Sequence, residues 1–277
     1  MKKEPVRNAL LEIGMEEMPA RFMTPTLQTL KDAAEAAFKE AGINHGGIET
    51  WGTPRRIALF IKNVALKSTD RADVKEGPPP KVAKTPEGAW TPAAVGFAKK
   101  EGIPVEKLVL TGTPKGERYC AVHQIRGQKT EMALREIFPA LIKKLTFPKS
   151  MIWDSPDFRF ARPVRWFVSL FNGNVVRFKL AGLTADRTTV GLLSLGGQKI
   201  SVARPEKYQS VLKGRCILVD PEERRKNILS QVDAICKRIK ASAIMSPEHL
   251  DEVVHLTEFP SSILGHFPEA YLKLPKE

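Results

Sequence analysis

The sequence predicts an α+β protein whose strands form a mixed or mostly antiparallel sheet with packed helices. Three observations carry that expectation. Apolar runs at 6–13, 57–64, 165–171 and 175–180 do not alternate with helices in the regular beat of a parallel sheet. Asn172-Gly173 stands between two of those runs, and this dipeptide favours the type I′ turn of an antiparallel hairpin. After residue 220 the pattern becomes helical, with two capped helix starts.

The elements follow in order. Residues 6–13 read as a strand that Gly14 ends. From Pro19 to Ala41, the apolar positions Phe22, Leu27, Leu30, Ala34, Ala37 and Phe38 recur at helical spacing, and Gly42 stands where a C-terminal cap belongs. A strand at 57–64 follows a turn at Gly52-Thr53-Pro54. From 67 to 116 the character changes. Gly77-Pro78-Pro79-Pro80 excludes both helix and central strand, and only 93–101 reads as a helix. A long excursion or small inserted subdomain is expected there. A strand at 118–125 and a helix at 130–145 precede the Asn-Gly hairpin. Asp220 then caps a helix with Pro221 at its first position and Glu222 and Glu223 near its positive end. Ser246-Pro247-Glu248 repeats that start for a helix reaching Leu256. The expected organisation is an N-terminal α/β unit at 1–66, a Pro/Gly-rich insertion at 67–116, a basic α+β unit at 117–200 and a C-terminal α+β part at 201–277. The close at Leu274-Pro275-Lys276-Glu277 reads as a truncation.

Composition narrows the function classes. With 42% hydrophobic and 27% charged residues in 277, the chain has the make-up of a soluble protein with a real core. Its least charged stretches are too short to span a bilayer. Glu4, Pro5 and Arg7 follow Met1-Lys2-Lys3 where an export signal would turn apolar, so a cytoplasmic location is expected. Cys120, Cys216 and Cys236 are far apart and lack CxxC spacing, which argues against a disulfide framework or a zinc site. The net charge of +13 is unevenly spread. Residues 121–200 hold thirteen Lys and Arg against five Asp and Glu, whereas 1–66 hold nine against eight. Such focus suits a polyanionic partner, because phosphates neutralised by the protein release counterions.

Phosphate-cradling loops of the GxGxxG and GxxxxGK[ST] types are missing, as are HExxH and GxSxG. The five histidines are scattered, and His249 and His255 lie six apart rather than at metal-ligand spacing. Glu16-Glu17 could serve acid–base or metal chemistry, but a place near the helix start, favouring its dipole, is the simpler reading. Two clusters are more distinctive. In Gly52-Thr53-Pro54-Arg55-Arg56 a turn delivers two adjacent arginines to a strand, so one can face solvent while the other needs a partner. Between 147 and 166 basic residues alternate with aromatics: Phe147-Pro148-Lys149-Ser150-Met151-Ile152-Trp153, then Phe158-Arg159-Phe160-Ala161-Arg162-Pro163-Val164-Arg165-Trp166. Rings can stack on bases while guanidiniums reach phosphates. The same composition equally suits a protein interface or a core rimmed by arginines.

These clusters belong to an ordered set: Leu10-Leu11-Glu12-Ile13-Gly14-Met15-Glu16-Glu17-Met18-Pro19, Thr53-Pro54-Arg55-Arg56-Ile57-Ala58, the two stretches between 147 and 166, Arg187-Thr188-Thr189, Val219-Asp220-Pro221-Glu222-Glu223-Arg224-Arg225, and Glu258-Phe259-Pro260 before Leu264-Gly265. In this order they resemble the beta subunit of the heterotetrameric bacterial glycyl-tRNA synthetase. Each motif is weakly specific; the set, spanning nearly the whole chain, is strongly so. Two departures stand out. Gly191-Leu192-Leu193-Ser194 replaces the family's Gly-His-Arg-Phe, and Phe259 replaces the Trp of Glu-Trp-Pro. The resemblance implies a non-adenylating subunit that binds tRNA(Gly) and continues into helical and anticodon-binding regions. It implies an alpha subunit, in an alpha2beta2 assembly, that holds the site for ATP, magnesium and glycine, leaving no catalytic residue, cofactor or metal in this chain. The residues expected to meet RNA are Arg55, Arg56, Lys149, Arg159, Arg162, Arg165, Trp166 and Arg187, through phosphates rather than bases. The alternative is a structural module contacting the alpha subunit or the rest of beta. Editing is disfavoured, because anything larger than glycine can be excluded sterically.

Overall fold

A computed structural model describes residues 7–86, 88–113, 116–153 and 158–275. The first half runs β1 (Ala9–Met15), α1 (Ala20–Glu40), β2 (Gly47–Thr53), β3 (Arg56–Lys62), β4 (Arg71–Glu76), α2 (Pro80–Ala83), α3 (Pro92–Lys100), β5 (Val109–Thr113), β6 (Gly116–Ile125) and α4 (Thr130–Lys144). Then come β7 (Met151–Ile152), β8 (Arg159–Phe160), β9 (Val164–Phe171), β10 (Asn174–Val175), β11 (Lys179–Leu180), β12 (Leu183–Thr184), β13 (Thr188–Val190), β14 (Lys199–Ser201), α5 (Tyr208–Lys213), α6 (Pro221–Ile239) and α7 (Pro247–Leu256). The fold is α+β. The chain divides into two compact units, 1–66 with 130–277, and 67–129. Among the described residues no helix is long and apolar enough to cross a membrane.

The larger unit is built on a five-stranded sheet of order β10-β9-β1-β3-β2, antiparallel throughout. β1 lies between β3 and β9, and all seven of its residues are buried. Both sheet faces are covered, which is why β1 is a nearly continuous apolar run instead of an alternating one. On one face Leu11, Ile13, Leu59 and Ile61 pack against α1 and α4 through Leu27, Leu30, Phe38 and Phe138. On the other, Leu10, Ala58, Phe60 and Leu170 meet Tyr208, Leu212 and Val219. The helices after 220 carry the expected caps. Asp220 accepts a hydrogen bond from the Glu222 amide, and Ser246 accepts one from the His249 amide.

Several sequence expectations change here. Gly14 does not end β1. It lies inside the strand, and a Cβ placed on it would fall 1.8 Å from the Trp166 ring, so the glycine makes room for that indole. Gly52 and Thr53, expected in a turn with Pro54, instead close β2, a strand at 47–53 that pairs along its length with β3. The 175–180 run is not one strand: β10 takes only two residues, and β11 pairs with β12. Asn172 adopts φ +57 at the hairpin turn, but Gly173 stays outside the left-handed region, so the turn is not type I′. Val6 of the first expected strand lies outside the described residues.

The smaller unit holds a three-stranded antiparallel sheet of order β4-β6-β5. Its core is made of small side chains, Ala83, Ala94, Ala98 and Ala121, with Leu108. Thr91 caps α3 by accepting from the Ala94 amide. β6, expected from sequence in a basic unit beginning at 117, is the middle strand of this sheet, and the unit extends to Lys129.

Candidate nucleic-acid interface

Strand register explains how charge enters the interior of the larger unit. Gly14 is paired with Arg56 on one side and Trp166 on the other, and Glu12 with Ala58 and Val168. Residues two apart on a strand share a face, so Glu12, Arg56 and Trp166 gather on the face that packs against Tyr208. Arg56 has no exposed surface. Its Nε and Nη2 lie 3.2 Å from Glu258 Oε1, and Nη2 donates to the Val190 carbonyl at 3.0 Å. Nη1 reaches Thr189 Oγ1 at 3.5 Å, and the guanidinium carbon stands 5.9 Å from the centre of the Trp166 ring. Burial disfavours the charge of Arg56, yet Glu12 and Glu258 outweigh it and hold its pKa above the ordinary value. Glu12 Oε1 accepts from Thr189 Oγ1 at 2.5 Å and from the Trp166 indole nitrogen. Thr53 Oγ1 donates to Glu258 Oε1 at 2.6 Å. Burial first, and then the charge of Glu12, push the Tyr208 phenol well above its usual range. Tyr208 Oη and Glu12 Oε2 couple electrostatically but complete no hydrogen bond of ordinary geometry, and both are buried.

A second buried arginine ties this network to the C-terminal helices. Arg224 donates to the carbonyls of Gly52 at 2.6 Å, Leu218 at 2.5 Å and Val254 at 2.8 Å. Burial lowers its pKa to about 10, against the opposing pull of Glu258 and Asp220. The formal charges of Arg56, Arg224, Glu12 and Glu258 cancel, as a buried set of ions requires. His255 is buried nearby with Nε2 3.1 Å from Thr24 Oγ1. Burial, reinforced by the positive charge of Arg224, lowers its pKa to about 4.

At the rim the same residue types behave differently. Glu16 accepts from Arg165 Nε at 2.7 Å and pairs with Arg55 Nη1 at 3.1 Å. The Arg165 hydrogen bond is the main cause of a lowered Glu16 pKa. Both Glu16 and Glu17 precede the first turn of α1, which holds no acid. Arg162 is exposed and donates through Nε to the Glu17 carbonyl at 2.9 Å. Arg159 and Lys149 are exposed, and the Arg165 side chain is 57% exposed. Between the arginines, Phe158 and Phe160 are buried. The 158–165 segment thus turns rings inward and cations outward.

The eight residues singled out in the sequence therefore divide. Lys149, Arg159, Arg162 and Arg165 present charge to solvent. Arg55 is mostly covered by its pairing with Glu16, and Arg187 is half-buried with Nη2 on the Gly173 carbonyl at 3.1 Å. Arg56 is a correction: with no exposed surface and its donors committed inside, it has none left for a phosphate. Trp166 is a correction too, because its indole lies over Gly14 and donates inward to Glu12. Asp154 and Asp157, possible internal partners for the arginines, lie outside the described residues. Glu12, Thr189, Arg224 and Glu258 were not singled out as site residues. The available signal was the ordered motif set: six of its stretches each send a side chain into this one buried network. Among the described residues, no group of three His, Cys, Asp or Glu could hold a metal ion.

Comparison with known proteins gives a consistent picture. A family model described as "Glycyl-tRNA synthetase beta subunit" matches residues 9–277. The glycine–tRNA ligase beta subunit of Bacillus subtilis (strain 168) is 39% identical over 272 residues, covering 98% of this chain and 40% of the relative. The proteins of the same name from Desulforamulus reducens and Moorella thermoacetica are each 38% identical, covering 97% and 98% of this chain and 39% of each relative. The chain spans about two fifths of the length of these curated relatives.

Proposed function

The chain belongs to the glycyl-tRNA synthetase beta subunit family, and on that footing we propose that it binds tRNA and supports the attachment of glycine to tRNA(Gly) by a larger assembly. In this reading an alpha subunit uses ATP and magnesium to activate glycine, and this chain supplies RNA-binding surface to a cytoplasmic alpha2beta2 enzyme. The chain is inactive alone in aminoacylation. The observation that carries the reading is the 158–165 segment. Arg159, Arg162 and Arg165 stand exposed on a scaffold fixed by Phe158 and Phe160 beneath them. Cations spaced along a rigid strip suit a phosphate backbone, which they position without reading its bases. The test is tRNA binding by this chain over a salt series, with and without the alpha subunit. The proposal expects a steep linear fall of log affinity with log salt for cognate and non-cognate tRNA alike. Salt-independent binding, or binding only when the alpha subunit is added, would count against it.

A second reading draws on a different region. Leu256, Phe259, Ile263, Phe267 and Leu272 are large apolar side chains exposed near the C-terminal end of the described chain. Exposed apolar side chains of this size mark a protein-binding surface where they adjoin. It favours contact with the alpha subunit or with the remainder of the beta chain. Both roles fit one molecule, because the two surfaces use different residues.

A further inference from the structure

The segment that follows α4 forms a feature beside the arginine strip and shares Arg159 with it. Two adjoining hollows share Thr146 and Phe147 in their walls. The first, of about 380 Å³, carries Arg21, Phe22 and Lys149; the second, of about 470 Å³, carries Lys143 and Arg159. Both volumes fall in the range of small-ligand clefts, roughly 300–1,000 Å³. Among the described residues, no carboxylate lines either hollow.

Phe147 divides the two, half-exposed, at the outer end of an aromatic ladder. Its ring meets Phe160 edge-on at 4.7 Å and Phe22 at 6.4 Å, and Phe160 stacks on Phe158 at 5.9 Å. Phe158 and Phe160 are buried, so the outer rings are held in place before any ligand arrives. Arg21 lies over the Phe22 ring at 5.2 Å. The site therefore offers fixed aromatic surface with cations on both sides and no competing acid among the described residues.

We propose that these hollows hold two successive unpaired nucleotides of a single-stranded RNA segment. A base lies against Phe147, and the flanking phosphates are held by Lys149 and Arg21 on one side and by Lys143 and Arg159 on the other. An acidic peptide would use the cations but leave the rings idle. A paired helix presents phosphates but keeps its base faces stacked inside, out of reach of Phe147. The proposal rests on the tRNA-binding reading and adds that one patch of this chain selects unpaired nucleotides.

The test compares a single-stranded RNA hexamer, an RNA duplex of equal length and whole tRNA by fluorescence anisotropy with the 277-residue chain. The hexamer is expected to bind more tightly than the duplex. Phe147→Leu keeps apolar packing on Phe160 and removes the ring; it should weaken hexamer binding about tenfold, the scale of one missing base–aromatic stack, and leave duplex binding unchanged. Arg21→Ala and Lys149→Ala alter exposed side chains and serve if Phe147→Leu fails to fold. Each should flatten the salt dependence of hexamer binding by about one unit. Equal affinity for hexamer and duplex, an unchanged hexamer affinity in folded Phe147→Leu, or unchanged slopes in both cation variants would overturn the proposal. So would a polyglutamate peptide that competes as well as the hexamer. If tRNA binds while the hexamer does not, the cleft assignment fails and the tRNA reading stands. If neither binds, both fail.

Discussion

Arg56 and Arg224 lie inside the larger unit, while Arg159, Arg162 and Arg165 lie at its rim, and the contrast shows two uses of one side chain. Inside, each guanidinium has its donors fixed by carbonyls or Glu258 and balances a buried acid. Removal of such a charge leaves its partners unpaired in a low dielectric. At the rim, among the described residues, Arg162 donates to the Glu17 carbonyl and Arg165 shares Glu16 with Arg55, and both arginines stay exposed. Exposed pairs of this kind contribute little to stability and are available to a ligand. The adjacent Arg55 and Arg56 part where the β2–β3 turn meets β3: Arg55 pairs with the partly exposed Glu16 and Arg56 with the buried Glu258.

The largest test of this contrast is Arg56→Leu. It strands Glu258 and Glu12 in the interior, and a loss of about 3–5 kcal/mol in chemical denaturation is expected. A loss below about 1 kcal/mol, the scale of an exposed pair, would place Arg56 with the rim residues instead.

Gly14→Ala probes the same network through shape. The added methyl must displace the Trp166 ring, at an expected cost of about 1–3 kcal/mol with a shifted tryptophan emission. An unperturbed spectrum and stability would show that the indole does not lie over that glycine.

Proton linkage gives a smaller effect. The folded pKa of His255, about 4, lies below its usual 6.5, so the unfolded chain binds more protons between those values. Stability should therefore fall as pH drops through that window, by at most about 2 kcal/mol between about pH 6.5 and 5, and less where water screens the site. His255→Gln should remove that share of the pH dependence; an identical pH profile in the variant would assign it elsewhere.

The smallest stability effect is expected at the rim. Arg162→Ala with Arg165→Ala should cost under about 1 kcal/mol, yet flatten the salt slope of tRNA binding by about one unit for each phosphate no longer neutralised. A large loss of stability with an unchanged slope would move these arginines to the structural side of the comparison.

Local rules made much of the scaffold legible. Helical spacing gave α1, with Leu27, Leu30, Ala34 and Phe38 on its buried face. Asp220-Pro221 and Ser246-Pro247 gave the starts of α6 and α7, because a cap acts within three residues of its own position. The buried rings and exposed arginines of 158–165 match the arginine-rimmed core that composition left open as one of three readings, and of the adjacent pair Arg56 is the one whose partner lies in the interior. β2 was not legible because its polar Glu49 and Thr50 and its glycines Gly47 and Gly52 do not alternate like a strand; its stability comes from pairing with β3. The role of Gly14 and the inward turn of Trp166 were hidden too, since they depend on a register between strands about 150 residues apart. Neighbours along the chain suffice to set most helices, the strands β1, β3, β6 and β9, and the place where positive charge is concentrated, because capping, periodicity and composition are local properties. Which arginines go inside and which face water is settled only when distant stretches meet. Glu12, Thr189 and Glu258 must all arrive at Arg56, and a guanidinium is tolerated in the interior only where an acid and acceptors receive it there.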